Sequence, residues 1–260
     1  MFIVKLGGSV ITDKSKRYCF HAKTMMRLAS EIQKAADPLV LVHGAGSFGH
    51  ILAKEYRLND GYKNKEQIQG FSLTQSKVQE LNSLVLNALQ KKKVPAISLP
   101  PHAFLKLNDH RLTDINYVMM DNYLEKGFTP VTFGDVALDK TLQFSICSGD
   151  LLMKGLAEHY KPKKAVFVVD VDGIYSANPK KNPDAILLKS ASVSDLENLT
   201  TAADGHADVT EGMKGKINTI KMIAQLGIDT IVVNGNKKNR LYKVLVGEET
   251  ICTYIHGMKK

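Results

Sequence analysis

The chain has no apolar run approaching the ~20 residues that a membrane-spanning helix needs. Its N-terminus also lacks a basic stretch, a long apolar segment and a small-residue cleavage site. No signal peptide and no membrane partner are therefore expected, and a cytoplasmic protein is. Cysteine is scarce. Cys19, Cys147 and Cys252 are odd in number, widely spaced and in no metal-binding pattern. That excludes a disulfide framework and a zinc motif, and leaves reduced thiols in or near a core. No internal repeat or low-complexity tract is present. Dense basic patches are also few. The net charge is +9, yet the lysine runs at 91–93, 161–164, 180–181 and 237–238 are short and fall at helix ends or turns. A nucleic-acid surface would interleave such a patch with aromatic side chains, so no nucleic-acid partner is expected. A diffuse positive field suits a polyphosphate ligand better.

Two nucleotide motifs are missing as well. No glycine is followed four residues later by Gly-Lys-Ser/Thr, so there is no P-loop. Residues 44–49 read Gly-x-Gly-x-x-Gly, but no acid ends a second strand about 20 residues on, as a dinucleotide fold requires.

What is present is a pair of strand-then-glycine turns. The apolar run Phe2–Leu6 leads into Gly7-Gly8-Ser9, and Leu39–Val42 leads into His43-Gly44-Ala45-Gly46-Ser47-Phe48-Gly49-His50. Glycines allow close backbone approach, and successive N–H groups in such turns form an anion-binding concavity. His50 adds a donor whose charge changes near neutral pH. Two phosphate sites in the first fifty residues imply two phosphorylated ligands, or one ligand gripped at both ends.

The rest of the chain alternates. Helical spacing covers Met25–Ile32, Val78–Ala88, 116–125, 150–160 and 213–226; strands are read at 96–99, 129–133, 165–169, 230–233 and, at an edge, 249–255. This predicts an α/β fold with helices covering a mostly parallel central sheet. Residues 136–146 read as a β-hairpin. The polar stretch 175–212 reads as a long loop system over a ligand. At 260 residues, one large domain or two lobes can be built.

Further signals fall at strand ends, where ligands collect in open α/β sheets. They are Gly134-Asp135, Ser148-Gly149-Asp150, Asp170-Val171-Asp172-Gly173 and the segment 208–216. Singly, each is an ordinary turn or helix cap. Together they describe phosphoryl transfer, which needs cations and backbone donors around phosphates. In that reading Lys5 bridges donor and acceptor phosphates, and Lys14 reaches over the same opening. His50 holds the acceptor phosphate, and Asp150 keeps the lysines charged and placed. Asp170 and Lys216 suit a nucleotide. His43, directly after a strand, reads as structural. The remaining histidines, His102 among them, lack a constellation. If the acceptor has an apolar tail, Phe71 and Thr74 on one helix, with Val136 and Ile146 on the hairpin, are the candidate wall.

In this order, Lys5–Ser9, the turn at 43–49, Ser148–Asp150, Asp170–Gly173 and 208–216 resemble the amino acid kinase superfamily over nearly the whole chain. The histidine that ends the glycine turn makes the chain similar, within it, to the isopentenyl phosphate kinases. The resemblance implies an open αβα sandwich and a homodimer. It implies ATP and Mg²⁺, isopentenyl phosphate as acceptor and isopentenyl diphosphate as product. It implies one amino acid kinase domain, with an N-terminal lobe (1–147) for acceptor and dimerisation and a C-terminal lobe (148–260) for ATP. By carry-over, Ala45, Gly46, His50 and Gly149 hold the acceptor phosphate. Gly7, Gly8, Ser9, Gly46, Asp170, Gly212 and Lys216 serve ATP. Val169 and Glu211 depart from the family, which often has Thr and Gly there. Two other readings stand beside it: a kinase of another small phosphate or phosphonate, such as fosfomycin, and a non-catalytic anion-binding module.

Overall fold

The apolar run Phe2–Leu6 forms strand β1, and the main sheet is built outward from it. In the computed structural model the described residues are 1–205 and 211–258, without the side-chain surroundings of 200–212. The other strands are β2 (Leu39–His43), β3 (Ala96–Ser98), β4 (Leu105–Asn108), β5 (Arg111–Ile115), β6 (Thr129–Phe133), β7 (Asp135–Asp139), β8 (Gln143–Cys147), β9 (Lys164–Val169), β10 (Ser190–Ala191), β11 (Thr230–Asn234) and β12 (Cys252–Ile255). Eight of them form one sheet in the order β10-β12-β11-β9-β1-β2-β6-β3. All neighbours are parallel except β11 and β12.

Both faces of this sheet are covered, which is why its central strands are mainly apolar. The strand alternation sorts the β1 side chains. Phe2, Val4 and Leu6 pack with Met25, Leu28, Leu81 and Val85 from helices Ala22–Ala35 and Glu66–Lys91. Ile3 turns the other way, with Val40 and Val42, toward Leu152, Leu156 and Ile220 from helices Gly149–Tyr160 and Glu211–Gln225. The result is an open αβα sandwich with a mostly parallel sheet. Among the described residues no helix is long and apolar enough to cross a membrane. Cys147 is buried, Cys19 and Cys252 are partly buried, and all are free thiols.

From β1 the chain runs on to β2 on one side, whereas from its other neighbour β9 it runs on toward β10, β11 and β12 on the opposite side. That makes the carboxyl end of β1 a topological switch point, the place where open sheets bind ligands.

Three expectations change. The strand read at 249–255 is not an edge, because the two-residue β10 pairs outside it. The stretch 175–212 is not all loop: besides β10 it holds the helix Val193–Gly205, whose Leu196 is buried. The hairpin β7–β8 is not alone. It joins β4 and β5 in a four-stranded sheet, order β5-β4-β7-β8.

One carboxylate fastens that small sheet. Asp139 Oδ1 accepts from the backbone N–H of Asp109, Thr141 and Leu142, and Oδ2 from the N–H of His110 and the Ser145 hydroxyl, all at 2.9–3.0 Å. It thereby clasps the β4–β5 turn, where Asp109 and His110 both have positive φ, to the β7–β8 turn. Burial alone would raise the Asp139 pKa, but these donors outweigh it and hold the carboxyl far below the usual carboxylate range. A depressed carboxylate stabilises the fold above its unfolded-state pKa, and the contribution fades as pH falls. Asp139→Ala is expected to lose about 2–4 kcal/mol in urea unfolding at pH 7. The gap to the wild type should narrow as the titration is repeated below about pH 4.

Candidate active site

Lys5 is the last lysine anyone would expect in a fully buried strand. It occupies the fourth position of β1, beside Val42 of β2 and Phe167 of β9, and its side chain is only 6% exposed. Its ammonium ends 2.6 Å from the Asp150 carboxylate, in the first turn of helix Gly149–Tyr160. Lys216, from helix Glu211–Gln225, reaches the same oxygen at 3.5 Å. Ser148 caps the helix that carries Asp150, its hydroxyl accepting from the Leu151 N–H at 3.1 Å. Burial lowers the Lys5 pKa to about 7, helped by Lys216 and opposed by Asp150. Burial works against ionisation of Asp150 too, but the two lysines overcome it and keep the carboxyl below its ordinary value.

The two glycine turns meet directly above this cluster. A Cβ on Gly8 would lie 2.8 Å from the Gly46 backbone, and one on Gly44 would lie 2.7 Å from the Gly8 nitrogen. Only chains without side chains pack so closely. Gly46 has φ +51°, and Thr12 fills the space where its side chain would stand. Around this joint opens a cleft of about 250 Å³. Lys5, Gly7, Gly8, Ser9, Lys14, Ala45, His50, Gly149, Asp150, Asp170 and Lys216 all line it. His50 stands at its wall with an accessible ring, and crowding together with Lys14 and Lys5 depresses its pKa. Lys14 reaches in from the exposed loop after Thr12, its own pKa lowered by burial of the head group and supported by Asp170. Asp170 accepts from Ser9 at 3.1 Å and pairs with Lys180 at 2.5 Å. Burial would raise its pKa, but Lys180 reverses the sign.

His43 is what its position suggested. It is completely buried, stacked on Phe133 and bonded to the Gly44 carbonyl and Asn82. Burial lowers its pKa to about 4, so the ring is neutral.

At one end the cleft turns apolar, lined by Ala53, Thr74, Val78 and Ile146. The four-residue wall predicted from sequence is thus split. Thr74 and Ile146 face the cleft, but Phe71 and Val136 do not. They pack with Leu58 and Phe144 in a small cluster behind it, where Phe71 and Phe144 have ring centroids 5.3 Å apart. Helix periodicity identified the face but not the turn at which it passes behind the hairpin. Gly46 supports the floor without lining it. Asp208 lies outside the described residues; Glu211 and Gly212 open helix Glu211–Gln225, and nothing more of their surroundings is described. Contributors not assigned to the site from sequence include Ala53, Val78, Asp135 and Lys180. Val78 carried a core signal, Gly134-Asp135 a turn signal, and Lys180 lay in the stretch read as a loop system over a ligand without being singled out.

At the far end, a second cavity of about 130 Å³ adjoins Asp170. Ile174, Tyr175, Pro179, Leu199 and Ile217 line it, with Asn178 and Lys180 at its side, a mainly apolar slot beside the charged cleft.

Residues 1–234 match the model of the amino acid kinase family. The chain belongs to that family. It is 41% identical to the isopentenyl phosphate kinase of Methanothermobacter thermautotrophicus, with 99% of each chain covered. It is 36% identical to the isopentenyl phosphate kinase of Thermoplasma acidophilum, covering 93% of this chain and 94% of that one. Among solved structures, one of an isopentenyl phosphate kinase superposes with a TM-score of 0.86 at 37% identity, covering 98% and 99% of the two chains. The αβα sandwich is the fold these amino acid kinases share.

The contact between the two glycine turns gives this family member a sharp test. Gly44→Ala is expected to weaken binding of an ATP analogue at least about tenfold by calorimetry, because the added methyl must push the turns apart. Far-UV circular dichroism should stay unchanged, which separates a disturbed cradle from unfolding.

Proposed function

We propose that this protein transfers the γ-phosphoryl group of ATP to isopentenyl phosphate, giving isopentenyl diphosphate and ADP. The observation that carries the reading is the cleft's sequence of environments. An apolar slot, a cationic joint between two glycine turns and an apolar chamber beyond His50 follow one another along one cavity system. That order matches a base, a chain of phosphates and a short hydrocarbon tail. Similarity to isopentenyl phosphate kinases over the full chain supports the same acceptor.

In this reading an oxygen of the acceptor phosphate attacks the γ-phosphorus. The bond from that phosphorus to the β-γ bridging oxygen breaks, and ADP leaves. The acceptor is already an anion, so no general base is required. Lys5 and Lys14 stabilise the charge on the group in flight. His50, with the backbone N–H groups of Ala45 and Gly149, holds the acceptor. Gly7, Gly8, Ser9, Asp170, Gly212 and Lys216 serve the nucleotide, and Gly46 shapes its cradle. Asp150 holds Lys5 and Lys216 in place. Among the described residues no group of three or more acids, histidines or cysteines could hold a metal. The acids Asp150 and Asp170 are occupied by lysines. Mg²⁺ arriving with the nucleotide would be held mainly by phosphate oxygens and water and would supply charge neutralisation there. We also assign a cytoplasmic location and a homodimer. The N-terminal lobe (1–147) carries the acceptor site and the dimer contact, where Val118, Met119 and Phe128 are exposed. The C-terminal lobe (148–260) carries the nucleotide.

A panel of acceptors, assayed with ATP and Mg²⁺ by ADP release, tests the reading. Isopentenyl phosphate should give the highest kcat/KM, ahead of fosfomycin, other phosphonates and amino acids. A preference for a phosphonate would replace the acceptor, and no turnover at all would leave only an anion-binding module. Within the panel, His50→Ala should lose at least about 10²-fold in kcat/KM, since it removes an oriented donor to a reacting phosphate.

The depressed pKa of Lys5 sets a pH dependence with a definite sign. Bound phosphates favour the charged ammonium, so binding draws in a proton wherever free Lys5 is neutral. Affinity for ADP should therefore fall as pH rises through about 7, where Lys5 loses its proton in the empty cleft. Calorimetry in buffers of different ionisation enthalpy measures that proton uptake. Lys5→Arg, which stays charged, should flatten the profile whatever it does to turnover.

A further inference from the structure

Gly134-Asp135 is the strand-end acid that the phosphoryl-transfer reading leaves without a role. Asp135 opens β7 and lines the cleft along with Thr74 and Ile146, yet its side chain is completely buried. Its carboxylate lies behind the apolar chamber: in the β7–β8 register Asp135 pairs with Cys147, while the chamber residue Ile146 pairs with Val136 and projects from the other face. Unpaired, it would be costly to bury and would repel an anionic acceptor. Burial does push its pKa up, against the pull of His102.

It is not unpaired. Oδ1 accepts from the Val136 N–H at 2.9 Å. Oδ2 lies 2.7 Å from Nδ1 of His102, which sits in the short helix Pro101–Phe104. The other ring nitrogen, Nε2, is 3.3 Å from the Gln75 side-chain amide. If Nδ1 donates to the carboxylate, neutral Nε2 is left to accept from that amide. The expectation that His102 lacks a constellation is therefore corrected: its partners are 27 and 33 residues away in sequence, so no local pattern marks them.

The chain Gln75–His102–Asp135 spans the two walls of the acceptor chamber. Gln75 follows Thr74 on the helix whose Thr74 and Val78 form one wall. Asp135 follows Gly134, whose Cβ position lies 3.2 Å from the Gly149 nitrogen and 3.5 Å from the Ala45 nitrogen. Those are the backbone donors assigned to the acceptor phosphate. A brace fixed at Gln75 and at Asp135 thus sets both the width of the apolar chamber and the turn against which the acceptor donors rest. Ser9, Asp170, Lys180 and the apolar slot lie across the cleft from it, and none of them takes part.

We propose that Gln75, His102 and Asp135 are positioning residues for the acceptor, setting its affinity and chain-length preference without acting on ATP. The proposal rests on the reading of the cleft as an isopentenyl phosphate kinase site. It requires that the brace act through geometry, so a side chain that restores the hydrogen bond should restore function.

The test is steady-state kinetics on folded variants of the whole chain, with isopentenyl phosphate and longer prenyl phosphates as acceptors. His102→Ala should raise KM for isopentenyl phosphate at least about tenfold, the effect of losing a hydrogen bond to a buried charge. It should also narrow the preference between short and longer prenyl phosphates, while KM for ATP changes less than about twofold. His102→Asn, which places an amide donor where Nδ1 stood, should recover most of the loss. Gln75→Leu should raise the acceptor KM more mildly, about threefold, because its bond is neutral. If His102→Ala does not fold, His102→Asn and Gln75→Leu carry the test. The proposal is overturned if these variants lose thermal stability but keep the wild-type acceptor KM and chain-length preference, or if KM for ATP moves as much as KM for the acceptor. Absence of turnover by the wild type would instead overturn the assignment of the acceptor, which keeps the two failures apart.

Discussion

A lysine held inside a parallel sheet organises this protein. Lys5 stands in the central strand with Phe167 on one side and Val42 on the other, and Asp150 is the group that makes its charge tolerable. Asp150 in turn is placed by a helix that begins at the end of β8, and it also receives Lys216 from the helix opposite. Two cations on one buried carboxylate leave a net positive site. Water offers little relief there, and an anion arriving from outside offers much. The sheet, its two flanking helices and the cleft are fitted around that imbalance.

The glycine turns supply the neutral half of the same design. Their backbones touch where side chains would collide, so their N–H groups and the lysine head groups crowd into one small volume. Gly134 and Gly149 extend this bare surface to the carboxyl ends of β6 and β8. The apolar slot beyond Asp170 and the apolar chamber beyond His50 lie at opposite ends. A ligand charged in the middle and apolar at both ends fits that order of environments.

Much of this was legible in the sequence because strands and their turns are local. Phe2–Leu6, Leu39–Val42 and Ala165–Val169 are apolar runs that lead into Gly7-Gly8, His43-Gly44 and Asp170, and the structure brings the turns after them to one cleft. The parts that were not legible depend on contacts between distant segments. The hairpin β4–β5 turns at Asp109-His110, a pair without the glycine that usually marks such a turn, and its fastening comes from Asp139, 30 residues on. β10 is two residues long and exists only because β12 offers it an edge. Phe71 shares a helix face with Thr74, but the face curves behind Phe144, so one residue meets the cleft and the other the core. Periodicity tells which side chains travel together, not where the neighbouring element ends.

The central place of β1 also bears on how the chain reaches this state. One edge of β1 is paired by β2, which ends at His43, while the other waits for β9, which begins at Lys164. At ribosomal speeds of roughly 5–20 residues per second, the second edge stays open for about 6–25 s of synthesis. During that time an apolar strand with a row of unpaired backbone groups is displayed to the surroundings, the arrangement most apt to pair with another chain. The buried lysine on that strand is then a charge on an open sheet edge. A lysine on an open edge strand is one of the features that discourage such pairing.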